Sequence, residues 1–339
     1  MNKKDTFPIR YTSLNIIKTT KNKISNKITK NNLLRKEDVK KGFVVIKVEY
    51  ANLNYKDLLM SQGHSGLIKK FPHTPGIDAC GAIYYSNSNK FQINDKVFVI
   101  AHPLGVVSNG SFSEYITIPD HWVEKLPKSL TPKEIMMIGT SGFTAVKALN
   151  KSLKIILKNK DKPVLVTGAT GNVGMFIIFL LTNIGINIEA ITSKKENNII
   201  LKKMGVTKIH TLKNFLKTPN FALLNEKYSV IFENLGGDVI SICLKYLIKK
   251  GILVSIGNIL GNMSNINILP LILREVSILS VNAECTNANE RKSILQNFKS
   301  IKLKNKLFKR TKVINLKEVS KIMKLKNYNK KALRYVVKI

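Results

Sequence analysis

Three evenly spaced glycines are the strongest chemical signal in the chain. The segment VLVTGATGNVG, residues 164–174, ends a compact apolar run and is followed by MFIIFLLTNIG, which reads as a helix. Gly168, Gly171 and Gly174 would let the backbone turn sharply, approach a pyrophosphate closely and seat the helix on a sheet, while free N–H groups at the helix start attract negative charge. The spacing is G-x-x-G-x-x-G, a variant of the usual dinucleotide fingerprint, and its strand-then-helix setting is the context that gives it meaning. About twenty residues on, at the end of the next apolar run, an NAD-binding chain offers an acid to the ribose hydroxyl. Here that place holds Thr192, Ser193, Lys194 and Lys195. Hydroxyls followed by cations suit the 2′-phosphate of NADPH, which an acid would repel. Glu189 counts inside the strand, short of its tip.

A second group lies in ANLNYKDLLMSQG, residues 51–63, where Asn54, Tyr55 and Asp57 follow an apolar strand. Amide, phenol and carboxylate at a strand end could position a nicotinamide and relay a proton. The same three residues also fit an Asx turn with a capping Asp that starts a short helix. Metal chemistry finds little support: His64, His73, His102, His121 and His210 show no ligand spacing, and Cys80, Cys243 and Cys285 form no C-x-x-C pair.

The elements that must carry these groups change character along the chain. GFVVIKVEYA, DACGAIYY, DKVFVIA and FSEYITI are short β-rich pieces separated by Pro and Gly turns. From Thr131, TPKEIMMIGTSGFTAVKALNKSL opens with a cap and a proline and runs at helical spacing. PVLVTGA, INIEAITS, YSVIFENLG and ILVSIGN are then strands that alternate with helical stretches, including ENNIILKKMG and VISICLKYLIKKG. That alternation predicts a doubly wound parallel sheet with right-handed crossovers. The closing ALRYVVKI is a strand that could return to the first unit. The expected fold class is therefore α/β, a β-rich domain joined to a Rossmann domain. The expected division is residues 1–130 and 285–339 for the first and 131–284 for the second.

A chain of 339 residues is long enough for two cores. No window reaches 18 uninterrupted apolar residues, and the amino-terminal stretch lacks the apolar run of a secretory signal, so a cytoplasmic protein without a membrane span is expected. The net charge of +35 invites a nucleic-acid partner. The lysines, however, are spread over the whole chain among Asn and Ile, and only residues 302–312 approach a concentrated stripe, so no specific nucleic acid is expected. A basic surface still attracts small polyanions such as nucleotides and coenzyme A esters.

LNYKDLL, FPHTPGIDACG, GSFSEY, IGTSGFTAVKAL, VTGATGNVG and LPLILREVSILSVNA follow one another along the chain. In combination they resemble the quinone-oxidoreductase-like part of the medium-chain dehydrogenase/reductase superfamily, specifically its acrylyl-CoA reductase branch. The resemblance implies a GroES-like catalytic domain built from both chain ends, a Rossmann domain, NADPH between them and a homodimer. It places Tyr55 near the nicotinamide with Asn54 and Asp57 as pocket residues, and Thr170, Gly171, Asn172 and Val173 against the pyrophosphate. Thr192, Ser193 and Lys194 would meet the 2′-phosphate, Gly257 and Asn258 the nicotinamide side, and Arg334 matches an arginine of the terminal strand. The chain departs from the pattern at Leu333, where a glycine often stands, and at Leu212 and Lys213, near the place of an arginine. Where zinc-dependent relatives carry a ligand Cys and Gly-His-Glu, this chain has Asn54, Tyr55 and Gln62, Gly63, His64, Ser65, which implies a zinc-free enzyme. The implied reaction is hydride transfer to the β-carbon of an α,β-unsaturated acyl-CoA, with proton delivery from Tyr55 or water. A quinone or enone reductase of the same fold, or a non-catalytic NADPH- or RNA-binding protein, are the other readings.

Overall fold

The computed structural model describes residues 7–298, 301, 310–325 and 334–339. Most of the basic stretch at residues 302–312, and Leu333, lie outside them.

The amino-terminal part opens with an antiparallel hairpin, β1 (Ile9–Lys18) and β2 (Ile24–Leu34). There follow β3 (Phe43–Asn52), the short helix α1 (Tyr55–Ser61), β4 (Ala79–Ser86), β5 (Lys96–Val99), β6 (Tyr115–Pro119) and β7 (Glu124–Lys125). A long helix, α2 (Pro132–Lys158), leads into β8 (Val164–Val166), α3 (Asn172–Asn183), β9 (Ile188–Thr192), α4 (Asn198–Lys203), β10 (Lys208–Thr211) and α5 (Leu212–Phe215). The second half of that unit is β11 (Tyr228–Glu233), α6 (Val239–Lys245), β12 (Leu247–Ser255), α7 (Leu269–Arg274) and β13 (Ser277–Ser280). The chain closes with α8 (Ala288–Phe298), β14 (Thr311–Asn315), α9 (Leu316–Met323) and β15 (Arg334–Lys338).

Among the described residues, β8 to β13 form one parallel sheet in the order β10-β9-β8-β11-β12-β13. Counted along the chain this is 3-2-1-4-5-6, the Rossmann order, whose direction of winding reverses between β8 and β11. The other large sheet is mostly antiparallel, and in it β15 pairs β3 while β14 lies parallel to β15. The last described strands of the chain thus join the sheet that β3 begins. The fold is α/β, a β-rich domain beside a Rossmann domain.

α2 starts where the sequence signals it. Thr131 accepts a hydrogen bond from the Glu134 N–H, Glu134 bonds back to Thr131, and Pro132 opens the helix. The helix is bent at Gly139, whose φ of 54° and ψ of −167° are far from helical and are open in practice only to glycine. The segment 239–251, expected as helix, splits: α6 ends at Lys245 and β12 begins at Leu247. Its first residue is drawn into the ladder beside Tyr228, and its buried Leu247 packs with Tyr228 and Phe215. A single apolar core runs from Cys80 and Phe98 in the first domain through Phe143 of α2 to Val166, Phe176 and Phe232 of the second.

Candidate functional site

The glycine loop sits at the carboxyl end of β8, the point where the sheet order reverses, which is where open α/β sheets form a binding crevice. Gly168 has φ of 56°. At Gly174 an added Cβ would lie 2.7 Å from the Gly168 carbonyl oxygen, so the helix start and the strand end approach too closely for any side chain. Gly171 caps α3 without a side chain to occupy the first amides, and Asn172 and Val173 form the first turn. Those N–H groups have no intrahelical acceptor and point outward from the helix start.

The second wall of the crevice comes from the turn after β11, which the sequence reading did not single out. Buried Glu233 accepts hydrogen bonds from Thr167 Oγ1 (3.0 Å) and from the N–H groups of Leu235 (2.7 Å) and Gly236 (2.9 Å). Asn234 donates through Nδ2 to the Thr167 carbonyl at 2.8 Å. Gly257 fits against this turn so tightly that a Cβ would meet the Asn234 oxygen at 2.4 Å, whereas Asn258 is exposed and donates to Asn262. The signal available in the sequence was the Gly236–Gly237 pair, both at positive φ, directly after an apolar strand.

At the tip of β9, Thr192 Oγ1 lies 3.3 Å from Thr170 Oγ1 and accepts the Lys194 N–H at 3.0 Å, which ties the tip to the glycine loop. Ser193 is exposed and Lys194 half-buried; burial lowers the Lys194 pKa. Glu189 is the second residue of β9 and is not at the tip. Its Oε2 accepts from His210 Nε2 (2.6 Å), Lys227 Nζ (2.7 Å) and Tyr228 Oη (2.8 Å). Burial alone would raise that carboxyl, but the three donors hold it at about 2. The acid is therefore fully engaged inside the sheet. Lys213 is an exposed residue of α5.

The strand-end group in the first domain divides. Tyr55 opens α1 and is 40% exposed. Asn54 and Asp57 do not share that surface. Asp57 is completely buried; one carboxylate oxygen accepts the Asn54 N–H (2.7 Å) and the other the Gly76 N–H (2.9 Å). Burial pushes this carboxyl up to about 8 against those donors. Buried Asn54 donates through Nδ2 to Asp78 at 2.9 Å. The N-cap spacing serves a cap here: both side chains face inward, and Tyr55 is the exposed member of the group.

Arg334 is also inside. It is 2% exposed, lies 4.7 Å over the Phe176 ring, and donates to Ser141 Oγ (3.0 Å) and the Ile138 carbonyl (3.3 Å). Its Nε and Nη1 have no partner among the described residues. The guanidinium is closed off from solvent, and the charge that faces it is the buried carboxylate of Asp78. The glycine cradle and the α3 amides, which begin without a capping side chain, are the features that could receive a dinucleotide pyrophosphate. Among the described residues no three His, Cys, Asp or Glu side chains group as metal ligands, and no helix is long and apolar enough to cross a membrane.

Comparison with known proteins follows the same outline. The family described as alcohol dehydrogenase GroES-like domain matches residues 40–128, and that described as zinc-binding dehydrogenase matches residues 172–300. YhfP of Bacillus subtilis, which carries the name of a quinone oxidoreductase, is 32% identical over 247 residues, 73% of this chain and 75% of its own. The acrylyl-CoA reductase AcuI of Ruegeria pomeroyi is 30% identical over 246 residues, 73% of this chain and 74% of its own. The yhdH oxidoreductase of Salmonella enterica, solved in complex with NADP, superposes with a TM-score of 0.88 at 25% identity, covering 97% of this chain and 99% of its own. The structure of YhfP with NAD bound gives 0.88 at 28% identity, covering 98% and 100%.

Proposed function

Because the chain belongs to the quinone-oxidoreductase-like branch of the medium-chain dehydrogenase/reductase superfamily, we propose that it is an NADPH-dependent reductase. Its substrate is acryloyl-CoA or a similar short α,β-unsaturated acyl-CoA, whose carbon–carbon double bond it saturates. The observation that carries the reading is the end of β8 and β9: a glycine cradle, and a β9 tip of hydroxyls and lysine whose own strand acid, Glu189, is held by three donors inside the sheet. Thr170, Gly171 and the amides of Asn172 and Val173 hold the pyrophosphate. Thr192, Ser193 and Lys194 hold the 2′-phosphate, and Gly257 and Asn258 border the nicotinamide side.

When bound there, NADPH supplies hydride from its nicotinamide. The chain's own contribution is to orient the reactants and to meet charge where it appears on the thioester carbonyl. Tyr55, the exposed member of the strand-end group, hydrogen-bonds the reacting carbonyl region and passes a proton toward the α-carbon through Oη or a neighbouring water. Asn54 and Asp57 support it from beneath.

A second reading, an NADPH:quinone or enone oxidoreductase, is favoured by the likeness to YhfP. NADPH oxidation followed at 340 nm, with acryloyl-CoA, crotonyl-CoA and a simple quinone offered in parallel and NADH as control, separates the two. Turnover confined to the thioesters supports the acyl-CoA reading, and turnover confined to the quinone overturns it.

We further propose a homodimer. β13 ends the sheet order with one edge unpaired among the described residues, and beside it Met263, Ile268, Ile272 and Leu273 are exposed. An apolar belt next to an open strand edge is a self-complementary surface suited to two-fold pairing with a second copy.

A further inference from the structure

One buried carboxylate gathers donors from the junction of β3 and α1 and from the bend of α2. Asp78, immediately before β4, is completely buried. Its Oδ2 accepts from Asn54 Nδ2 (2.9 Å), from Asn52 Nδ2 (3.4 Å) and from the Thr140 N–H (3.0 Å), and its Oδ1 accepts from Thr140 Oγ1. Asn54 is the N-cap of α1, so it immediately precedes Tyr55. Thr140 follows the bend of α2. At Gly139 a Cβ would lie 2.6 Å from Asn52 Nδ2 and 2.7 Å from Asp78 Oδ2, so the bend exists in the form that lets the helix come down onto this carboxylate. Beyond the bend, α2 packs against α3: a Cβ at Gly142 would meet the Phe176 ring at 3.1 Å, and Arg334 lies over the same ring while donating to Ser141. The backbone of Tyr55 is therefore connected to the helix of the glycine loop through Asn54, Asp78, Thr140 and Phe176.

We propose that Asp78 is a positioning residue for the reaction: it fixes the start of α1 to the bend of α2, and so sets Tyr55 relative to the glycine loop. The proposal rests on the reductase reading for its kinetic consequence, while its geometric consequence is independent of that reading. Asp78 touches neither substrate nor cofactor in this role. Its effect is to keep the proton-donating side of the crevice in register with the hydride-donating side, where small misplacements cost rate steeply.

The test uses the full-length protein in three variants, Thr140→Val, Thr140→Ser and Asp78→Asn. Thr140→Val keeps the shape of the side chain and removes Oγ1, which donates to Asp78 and accepts the Ala101 N–H at 2.7 Å, and Thr140→Ser restores both bonds. Two readouts are taken: kcat and KM with NADPH and crotonyl-CoA, and amide hydrogen exchange of segments 53–61 and 138–144. The expected result for Thr140→Val and Asp78→Asn is a fall in kcat of about tenfold with KM for NADPH within about twofold. Exchange should quicken in both segments together, and Thr140→Ser should behave like the parent. Equal behaviour of the Val and Ser variants would overturn the proposal. So would exchange that rises uniformly along the chain with kcat per folded molecule unchanged, the signature of packing alone. If the parent reduces no acyl-CoA, the exchange arm still decides: joint loosening of the two segments upholds the clamp, and loosening of only one rejects it. If Asp78→Asn does not fold, the Val and Ser pair carries the test.

Discussion

Replacing Gly174 by Ala probes the cradle most sharply. The new Cβ would sit 2.7 Å from the Gly168 oxygen and 3.0 Å from the Ala169 Cα, both backbone atoms of the same loop, whereas ordinary contact begins at 3.4 Å. The loop and the helix start must then part by roughly 0.7 Å, the difference between those two distances. Overpacking of this kind costs about 1–3 kcal/mol, and a loop displaced by that amount no longer presents its amides to a pyrophosphate. At about 1.4 kcal/mol per tenfold, NADPH affinity should fall about tenfold or more. The assay is a titration of NADPH fluorescence on the purified variant, with Gly185→Ala as control. Gly185 also has positive φ, 71°, but a Cβ there meets nothing within 4 Å. Its replacement should cost on the order of 1 kcal/mol of stability through backbone strain alone and leave affinity unchanged. If the two variants bind NADPH equally well, the cradle is not where the dinucleotide lies.

Other consequences are equally open to measurement. Lys194→Ala should weaken NADPH binding by about 1.5–3 kcal/mol, the range for hydrogen bonds to charged groups, and leave NADH binding unaltered; an equal loss for both would remove Lys194 from the 2′-phosphate. Tyr55→Phe should lower kcat on crotonyl-CoA by about a hundredfold at unchanged NADPH affinity, and an unchanged kcat would assign the proton to water. Glu189, held at about 2 in the folded chain against an ordinary 4.5, contributes stability at neutral pH that is lost as pH falls from about 4.5 toward 2. Glu189→Gln should therefore be less stable than the parent at pH 7, with the gap closing on acidification in urea titrations; a gap independent of pH would contradict the assignment. Ile272→Asp, at a site 62% exposed, should change folding stability by no more than about 0.5 kcal/mol yet shift sedimentation from dimer to monomer. An unchanged assembly would place the interface elsewhere.

Much of the fold is legible in the sequence because the Rossmann unit repeats one pattern, apolar strand then helix, and because VTGATGNVG is read from strand to helix without long-range information. The hairpin of β1 and β2 is not: ISNKITKNNLL mixes Asn and Lys among few apolar residues, and its pairing is decided by partners up to 25 positions away, as at Ile9 and Leu34. The division between α6 and β12 is hidden for a similar reason, since an apolar run such as YLIKKGILV is periodic in neither sense and joins the ladder only because β11 offers an edge. In the site, Asn54 and Asp57 show the limit of spacing. An amide three residues before a carboxylate is the pattern of a cap and equally of a pocket, and only burial distinguishes them. Asp78 and Thr140 lie 62 positions apart, and nothing local links them. Glu189 counts correctly as inside its strand, but its partners His210, Lys227 and Tyr228 come from two other strands and the loop before one of them.

The central claim, reduction of a carbon–carbon double bond conjugated to a thioester, is tested most directly by following the hydride itself. NADPH deuterated at the transferable C4 position would be incubated with the protein and crotonyl-CoA, and the product analysed by mass spectrometry. The account predicts butyryl-CoA with one deuterium, located at the β-carbon. Unreacted crotonyl-CoA from an enzyme that consumes the same NADPH with a quinone would contradict it.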